Sequence, residues 1–326
     1  MAHLRTFIAR SATEMDRLAR LWEELLNQQP HSLFQRFSWN RLAAQMFSDR
    51  LAPYVVCVES DRGAAIIPAA VNLQDDRIEL LGETLFDYRD VLHAGDEEIL
   101  LQAWRELTVL DKPLRIVAVD EAASHRNWSG WSLTPFATAP QVDRRTIDQS
   151  VFRMAHPRLG RQMRRLQKRG VELRIYGGGD SGIVKRVYEC KRSHFTAEAI
   201  ANLFLDAQRC EFMIQAAKLE GSACRIYTLE EGADLVAGLV TFRDGEIRRF
   251  YTIYFNPQWA YYSPGQALLY EATALSLAEG VTCDYMTGEY SYKLRLSNSS
   301  RQLFRVQVSS RELDEIAARG SVSSAA

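Results

Sequence analysis

Tyr261-Tyr262-Ser263-Pro264-Gly265-Gln266-Ala267, taken with Asp284-Tyr285-Met286-Thr287-Gly288 and Tyr292-Lys293 downstream, decides the fold of this chain. Ser263 has the chemistry of a helix N-cap, and Pro264 suits the first helical position, where its missing N–H costs nothing. Ser263 and Gln266 stand at capping-box spacing, with Tyr262 placed to staple onto Ala267. Gly265 is the residue these local rules leave over. Glycine within a helical turn costs about 1 kcal/mol relative to alanine. The physical reason to accept that cost is close approach of another group to the backbone. At a helix N-terminus the free N–H groups and the positive dipole end favour an anion, often a phosphate. The helix is expected to run to about Ala278 and to stop at Gly280, a good C′ residue.

Upstream of this stretch, three runs of strand-forming residues are separated by short turns containing Gly232 and Asp244-Gly245: 223–230, 235–243 and 246–255. Before them lie a basic helix over 152–169, a strand over 171–176 and helices near 183–193 and 199–218. After the Ser263 helix come a strand at 282–286 and a last strand at 302–309. The first half follows a similar order. It has a strand at 4–9, a helix opened by Ser11 and Glu14, a helix over 37–47, strands at 54–59, 64–71 and 77–81, a helix over 96–110 and a strand at 114–119. The expected fold class is therefore α/β (α+β), with a mostly antiparallel mixed sheet flanked by helices in each half. The expected domains are 1–145, 146–310 and a disordered tail over 311–326, where the chain turns polar and small.

Composition narrows the function classes. A formal net charge of −1 gives no global field toward nucleic acid or an anionic membrane. The five cysteines are scattered, form no C-x-x-C pair and have no histidine at metal-ligand spacing, so no metal is expected. A reduced, cytoplasmic compartment fits that usage. The first ten residues reach a charged residue too soon for a signal peptide. No apolar run approaches the roughly 20 residues of a membrane span.

A meander of antiparallel strands, a glycine-containing turn at a helix N-terminus and a further strand together resemble the GNAT acyltransferase fold. Ser263-Pro264-Gly265, Gly280, Asp284-Tyr285-Met286-x-Gly288-Glu289 and Tyr292-Lys293 are similar to the cellulose-biosynthesis-type (CelD-like) GNAT family. The tandem arrangement also resembles the Fem-type aminoacyl transferases. The first half matches more weakly, through Pro68 and Asp87-Tyr88-x-Asp90. One departure stands out: Tyr262 occupies the place of the arginine or glutamine in the general GNAT signature, whereas Gly265 and Ala267 fill its last two places.

The resemblance implies two tandem GNAT-like domains and an acyl-CoA co-substrate, acetyl-CoA or a longer one. Tyr262, Ser263, Gly265, Gln266 and Ala267 would form the donor side. The acceptor would be a small molecule or a saccharide or envelope precursor. Acyl transfer needs a base, oxyanion donors and an acid for the departing thiolate. Tyr292 is the expected acid, Asp284 or Glu289 the expected base, and Lys293 the charged partner of Asp284. Backbone groups at the splayed end of 246–255 would serve the carbonyl. Helix capping and a strand-end ion pair compete with these roles. In the basic helix, Arg158, Arg161, Arg165 and Lys168 form one stripe, read first as a solvated face and second as a seat for an anionic partner. Nucleic acid is not expected, except as tRNA under the alternative of Fem-like aminoacyl transfer. A non-catalytic GNAT-like binding protein is the alternative from another class. Lone His194 is read as structural.

Overall fold

The computed structural model describes residues 4–120, 123, 128, 130–193 and 205–318. In chain order the strands are β1 (Arg5–Ala9), β2 (Leu51–Ser60), β3 (Gly63–Asn72), β4 (Arg77–Leu80), β5 (Leu92–Gly95), β6 (Leu114–Asp120) and β7 (Leu133–Val142). They continue with β8 (Glu172–Gly177), β9 (Cys224–Glu231), β10 (Asp234–Asp244), β11 (Ile247–Phe255), β12 (Thr282–Asp284) and β13 (Ser299–Val308). The chain divides into two compact units, Met1–Ala137 with Gln302–Ala326, and Thr138–Arg301.

Both units follow one strand plan. In the first, β1, β2, β3 and β4 form an antiparallel meander, β6 lies parallel to β4, and β13 runs antiparallel to β6. In the second, β8, β9, β10 and β11 form the meander, β12 lies parallel to β11, and β7 runs antiparallel to β12. The closing strand is exchanged between the two plans: β7 follows β6 in sequence yet pairs with β12, and β13 follows β12 yet pairs with β6. A domain boundary near 145 and a break at 310 therefore differ from the structural partition. The expected disordered tail instead begins with a helix, Ser310–Ala318, that buries Leu313, Ile316 and Ala317. Its serine start and apolar spacing suit a short amphipathic helix.

The first unit buries Trp104, Trp128 and Trp131 in mutual ring contact, with centroids 4.8–5.6 Å apart. Its loop Asp87-Tyr88-Arg89-Asp90 is packed inward. The Arg89 guanidinium donates to the carbonyls of Leu80, Leu81 and Phe86 at 2.9–3.1 Å, and the Asp90 carboxylate accepts from Val91 N–H and the Trp128 indole. The end of β4 is thus filled by the protein's own side chain.

In the second unit the Pro264–Ala278 helix is buried on nearly every side, from Pro264 and Gly265 through Leu277. It covers one face of the sheet. The helix Ser181–Ser193 covers the other, and Gly238 lets it come close: a Cβ there would lie 2.6 Å from Val187 Cγ2. The expected basic helix over 152–169 is two helices, Gln149–Ala155 and Pro157–Gln167, broken at His156. Pro157 explains the break, because proline disfavours a helical conformation in the residue before it. The expected helix over 199–218 is observed as Ala207–Glu220, with 199–204 outside the described residues. His194 also lies outside them.

Candidate active site

Strands β11 and β12 are in register for only three residue pairs, ending at Arg249↔Asp284. Beyond that pair β12 stops, while β11 runs on to Phe255. The two parallel strands therefore part at their carboxyl ends. In α/β sheets such a mouth is where ligands bind, because strand ends leave backbone groups without ladder partners. A β-bulge marks the same place. Val240 pairs with Thr252 and Thr241 with Phe250, which leaves Tyr251 as the extra residue. A bulge re-aims the strand and resets its alternation. Phe250 and Thr252, two residues apart, therefore face opposite sides of the sheet instead of sharing one. Phe250 packs against Tyr285 on the Pro264 side, whereas the Thr252 hydroxyl meets the Tyr188 hydroxyl on the Ser181–Ser193 side.

The point of divergence is pinned by buried charge. Arg249 donates to both Asp244, at 2.7 Å, and Asp284, at 2.8 Å, with side-chain exposures of 3% and 0% for Arg249 and Asp284. Asp284 also accepts from Gln141 at 3.3 Å and from Met286 N–H at 2.7 Å. The last bond fixes Met286 in the left-handed region, φ 60°. Asp284 therefore works as a strand-end anchor. A carboxylate neutralised by a guanidinium and closed off from solvent does not suit the role of base expected for it.

The expected donor side sits where β11 hands over to the Pro264–Ala278 helix. Ser263 is the residue before that helix, but its backbone is left-handed (φ 50°, ψ 51°) and its side chain makes no capping bond. The capping box of Ser263 and Gln266 is not formed. The cause is the preceding 3₁₀ helix, Pro257–Tyr262, whose tight exit directs Ser263 N–H to the Ala260 carbonyl. Ala267 N–H bonds the Ser263 carbonyl, so Gly265 and Gln266 hold the first-turn N–H groups, Pro264 having none. Gly265 has a neighbour that accounts for part of its smallness: a Cβ would lie 3.3 Å from the Phe255 ring. Tyr262 is half-buried, in ring contact with Trp259 and Tyr261 and beneath the Arg169 guanidinium.

The expected acceptor side follows β12. Lys293, on the short helix Ser291–Leu296, donates to the carbonyls of Thr287 at 2.8 Å and Met286 at 3.4 Å, with its ammonium 5.4 Å from the Tyr290 ring centre. Tyr292 stacks on Tyr290 at 5.8 Å, and burial raises its hydroxyl pKa to about 12, so it stays protonated through neutral pH. Glu289 is exposed and accepts from the Thr138 hydroxyl. The structure thus joins Asp284, Met286, Thr287 and Lys293 into one bonded turn, with Tyr292 beside it.

Sequence reasoning missed two residues. Arg249 carried a signal: a charged side chain inside an apolar strand needs a buried partner. Lys191, on the helix Ser181–Ser193, reaches the Ile253 carbonyl at 3.0 Å, on the part of β11 beyond the divergence. It shows no local sign of doing so. Among the described residues no group of three His, Cys, Asp or Glu could hold a metal ion, and no helix is long and apolar enough to cross a membrane.

Residues 155–294 match the model of an acetyltransferase (GNAT) domain. No curated protein matches the sequence. Among solved structures, the chain is similar to the C-terminal domain of a putative lysylphosphatidylglycerol synthetase from Agrobacterium fabrum, with TM-score 0.59 and 11% identity over 96% of this chain and 97% of that one. It is similar to a tandem GNAT protein from the clavulanic acid biosynthesis pathway, with TM-score 0.52 and 12% identity over 94% and 99%. FemX gives TM-score 0.53 and 9% identity over 96% and 99%. At these identities the likeness is one of fold, and the fold is a mixed α/β, GNAT-like one.

Proposed function

We propose that this chain is an acyltransferase that passes an acyl group from an acyl-CoA to an amine or hydroxyl acceptor at the mouth between β11 and β12. The observation that carries this reading is the parting of the two parallel strands beside a helix N-terminus, inside the segment that matches a GNAT domain. Gly265 and Gln266 N–H groups, with Ser263 and Ala267 framing them and Tyr262 alongside, meet the donor's pyrophosphate. The backbone of β11 beyond Arg249 orients its pantetheine and carbonyl. Tyr292 protonates the departing thiolate. Lys293 holds the turn after β12 and sets a positive charge at the acceptor side. Asp284 positions that turn, and Glu289 recognises the acceptor at the rim. The CelD-like motifs support a saccharide or envelope-precursor acceptor.

The first unit is assigned no chemistry: Ser263, Gly265 and Lys293 have no matched counterparts in it, and the buried Arg89 guanidinium fills the end of β4. Thermal unfolding in the presence of acetyl-CoA, longer acyl-CoAs and free CoA tests the reading. Ligand at about 100 times Kd adds about 2.7 kcal/mol when it binds only the folded state. No shift with any CoA species overturns it.

A second reading has its own observation. Arg158, Arg161, Arg164, Arg165, Lys168 and Arg169 are all exposed, and none makes an ion pair among the described residues. Such a row suits a polyanionic donor, as in Fem-like transfer from charged tRNA. Binding of tRNA that weakens steeply with salt supports it, and binding flat in salt removes it.

A further inference from the structure

Lys191 is carried to the mouth by the packing of its own helix. Val187 sits against Gly238 on β10, and Tyr188 bonds Thr252 on β11. Lys191, three residues beyond Tyr188, falls on the same helix face. Its ammonium nitrogen ends 3.0 Å from the Ile253 carbonyl. Asn256 N–H bonds the Val236 carbonyl on β10, so by the two-residue period the backbone groups of Thr252 and Tyr254 face β10 as well. Those of Ile253 face the other way, into the mouth. Across it stands Lys293, whose charge acts on Lys191.

We propose that Lys191 is the general base of the acyl transfer proposed above, on which this inference rests: its amine takes the proton from the acceptor as the acceptor attacks the thioester carbonyl. The proton moves from the acceptor's N–H or O–H to Lys191 Nζ as the new C–N or C–O bond forms. The C–S bond then breaks with its electron pair on sulfur, and the thiolate takes the Tyr292 proton. The Lys191 ammonium finally returns a proton, through water, to Tyr292. The net change is acyl transfer and release of a thiol.

The surroundings suit an amine that cycles near neutral pH. Desolvation first, and the Lys293 charge second, bring Lys191 down to about 8, with the Cys210 thiol acting the other way. The side chains that β11 turns to this helix are neutral: Thr252 and Tyr254, whose hydroxyl is raised to about 12. A lysine desolvated beside a second cation is a recurrent way to obtain a reactive amine. Base efficiency is greatest when the pKa lies near the working pH.

Lysine ¹⁵N-labelled protein carries six side-chain amines, Lys112, Lys168, Lys185, Lys191, Lys218 and Lys293, and Lys191→Arg removes and so assigns one resonance. The expected midpoint for Lys191 is near 8, against about 10.4 for an exposed lysine. Thiol release from acetyl-CoA, with water as acceptor, should rise with that same midpoint. Lys191→Arg should lower it by about 10²–10⁴-fold while keeping the acetyl-CoA thermal shift, and methylamine should partly rescue Lys191→Ala. Wild-type turnover in Lys191→Arg, or a Lys191 midpoint near 10.4, overturns the base and leaves the acyl-CoA reading intact. Absence of any CoA-dependent thermal shift overturns the acyl-CoA reading itself.

Discussion

Replacing Asp284 by alanine removes one of two carboxylates that neutralise the Arg249 guanidinium, and it does so where both side chains are buried. Breaking a buried pair from one side costs roughly 3–5 kcal/mol, since the remaining charge stays desolvated. Asp244 still holds Arg249, which places the electrostatic part at the low end. The Met286 N–H cap is also lost, adding about 1 kcal/mol. The expected total is about 3–5 kcal/mol. For a unit of this size that lowers the melting temperature by roughly 6–20 °C. Asp284→Asn keeps the shape and the Met286 cap and should cost about 1–2 kcal/mol. Arg249→Met alone leaves two carboxylates buried. The double variant Asp284→Ala/Arg249→Met should therefore cost less than the two single changes together by about 1–3 kcal/mol. Urea unfolding of the four proteins gives the cycle. A stability loss below about 0.5 kcal/mol in Asp284→Ala, with turnover abolished, would refute the anchor and return Asp284 to the chemistry.

Three further changes have expected outcomes. Gly265→Ala asks only the half-exposed Phe255 ring to shift, so stability should move by less than about 1 kcal/mol while the acetyl-CoA thermal shift falls; an unchanged shift would leave Gly265 a packing residue. Ser263→Ala should change stability by less than about 0.5 kcal/mol, because no cap bond is present to lose; a loss near 1 kcal/mol would contradict the left-handed geometry. For Lys191, the folded pKa lies near 8, below its unfolded value, so the folded state releases the proton first and wild-type stability gains with pH from about 8 to about 10.5. Lys191→Met should accordingly be more stable than wild type by about 1–2 kcal/mol at pH 7, once the lost Ile253 bond is offset, and the gap should close by about pH 10. Urea midpoints at pH 7 and pH 9.5 check this, and a gap independent of pH speaks against it.

The meander strands and the Pro264–Ala278 helix were legible because each carries its signal locally. The turns at Gly232 and Asp244-Gly245 and the stop at Gly280 place their ends within a residue or two. Strand β7 was not legible: Pro135 and Pro140 remove ladder donors and weaken the pattern. The exchange of β7 and β13 is a pairing between distant segments, and no local rule encodes it. Ser263 illustrates the opposite error, a correct cap residue whose backbone is set by the 3₁₀ turn before it. At the site, Gly265, Asp284, Tyr292 and Lys293 were visible as motif residues, but the partner of Asp284 was not. The helix bearing Lys191 also carries Lys185, Arg186 and Arg192 among its polar positions, so nothing in its spacing separates a surface lysine from one that reaches a strand end.

The central claim is one of place: acyl-CoA is held at the parted ends of β11 and β12. Amide hydrogen exchange with and without acetyl-CoA tests it most directly. Protection is expected at Gly265, Gln266 and the backbone of 251–255, with no change at the Arg89-filled end of β4. Protection confined to the first unit, or none at residues 251–267 under saturating acetyl-CoA, would contradict the account.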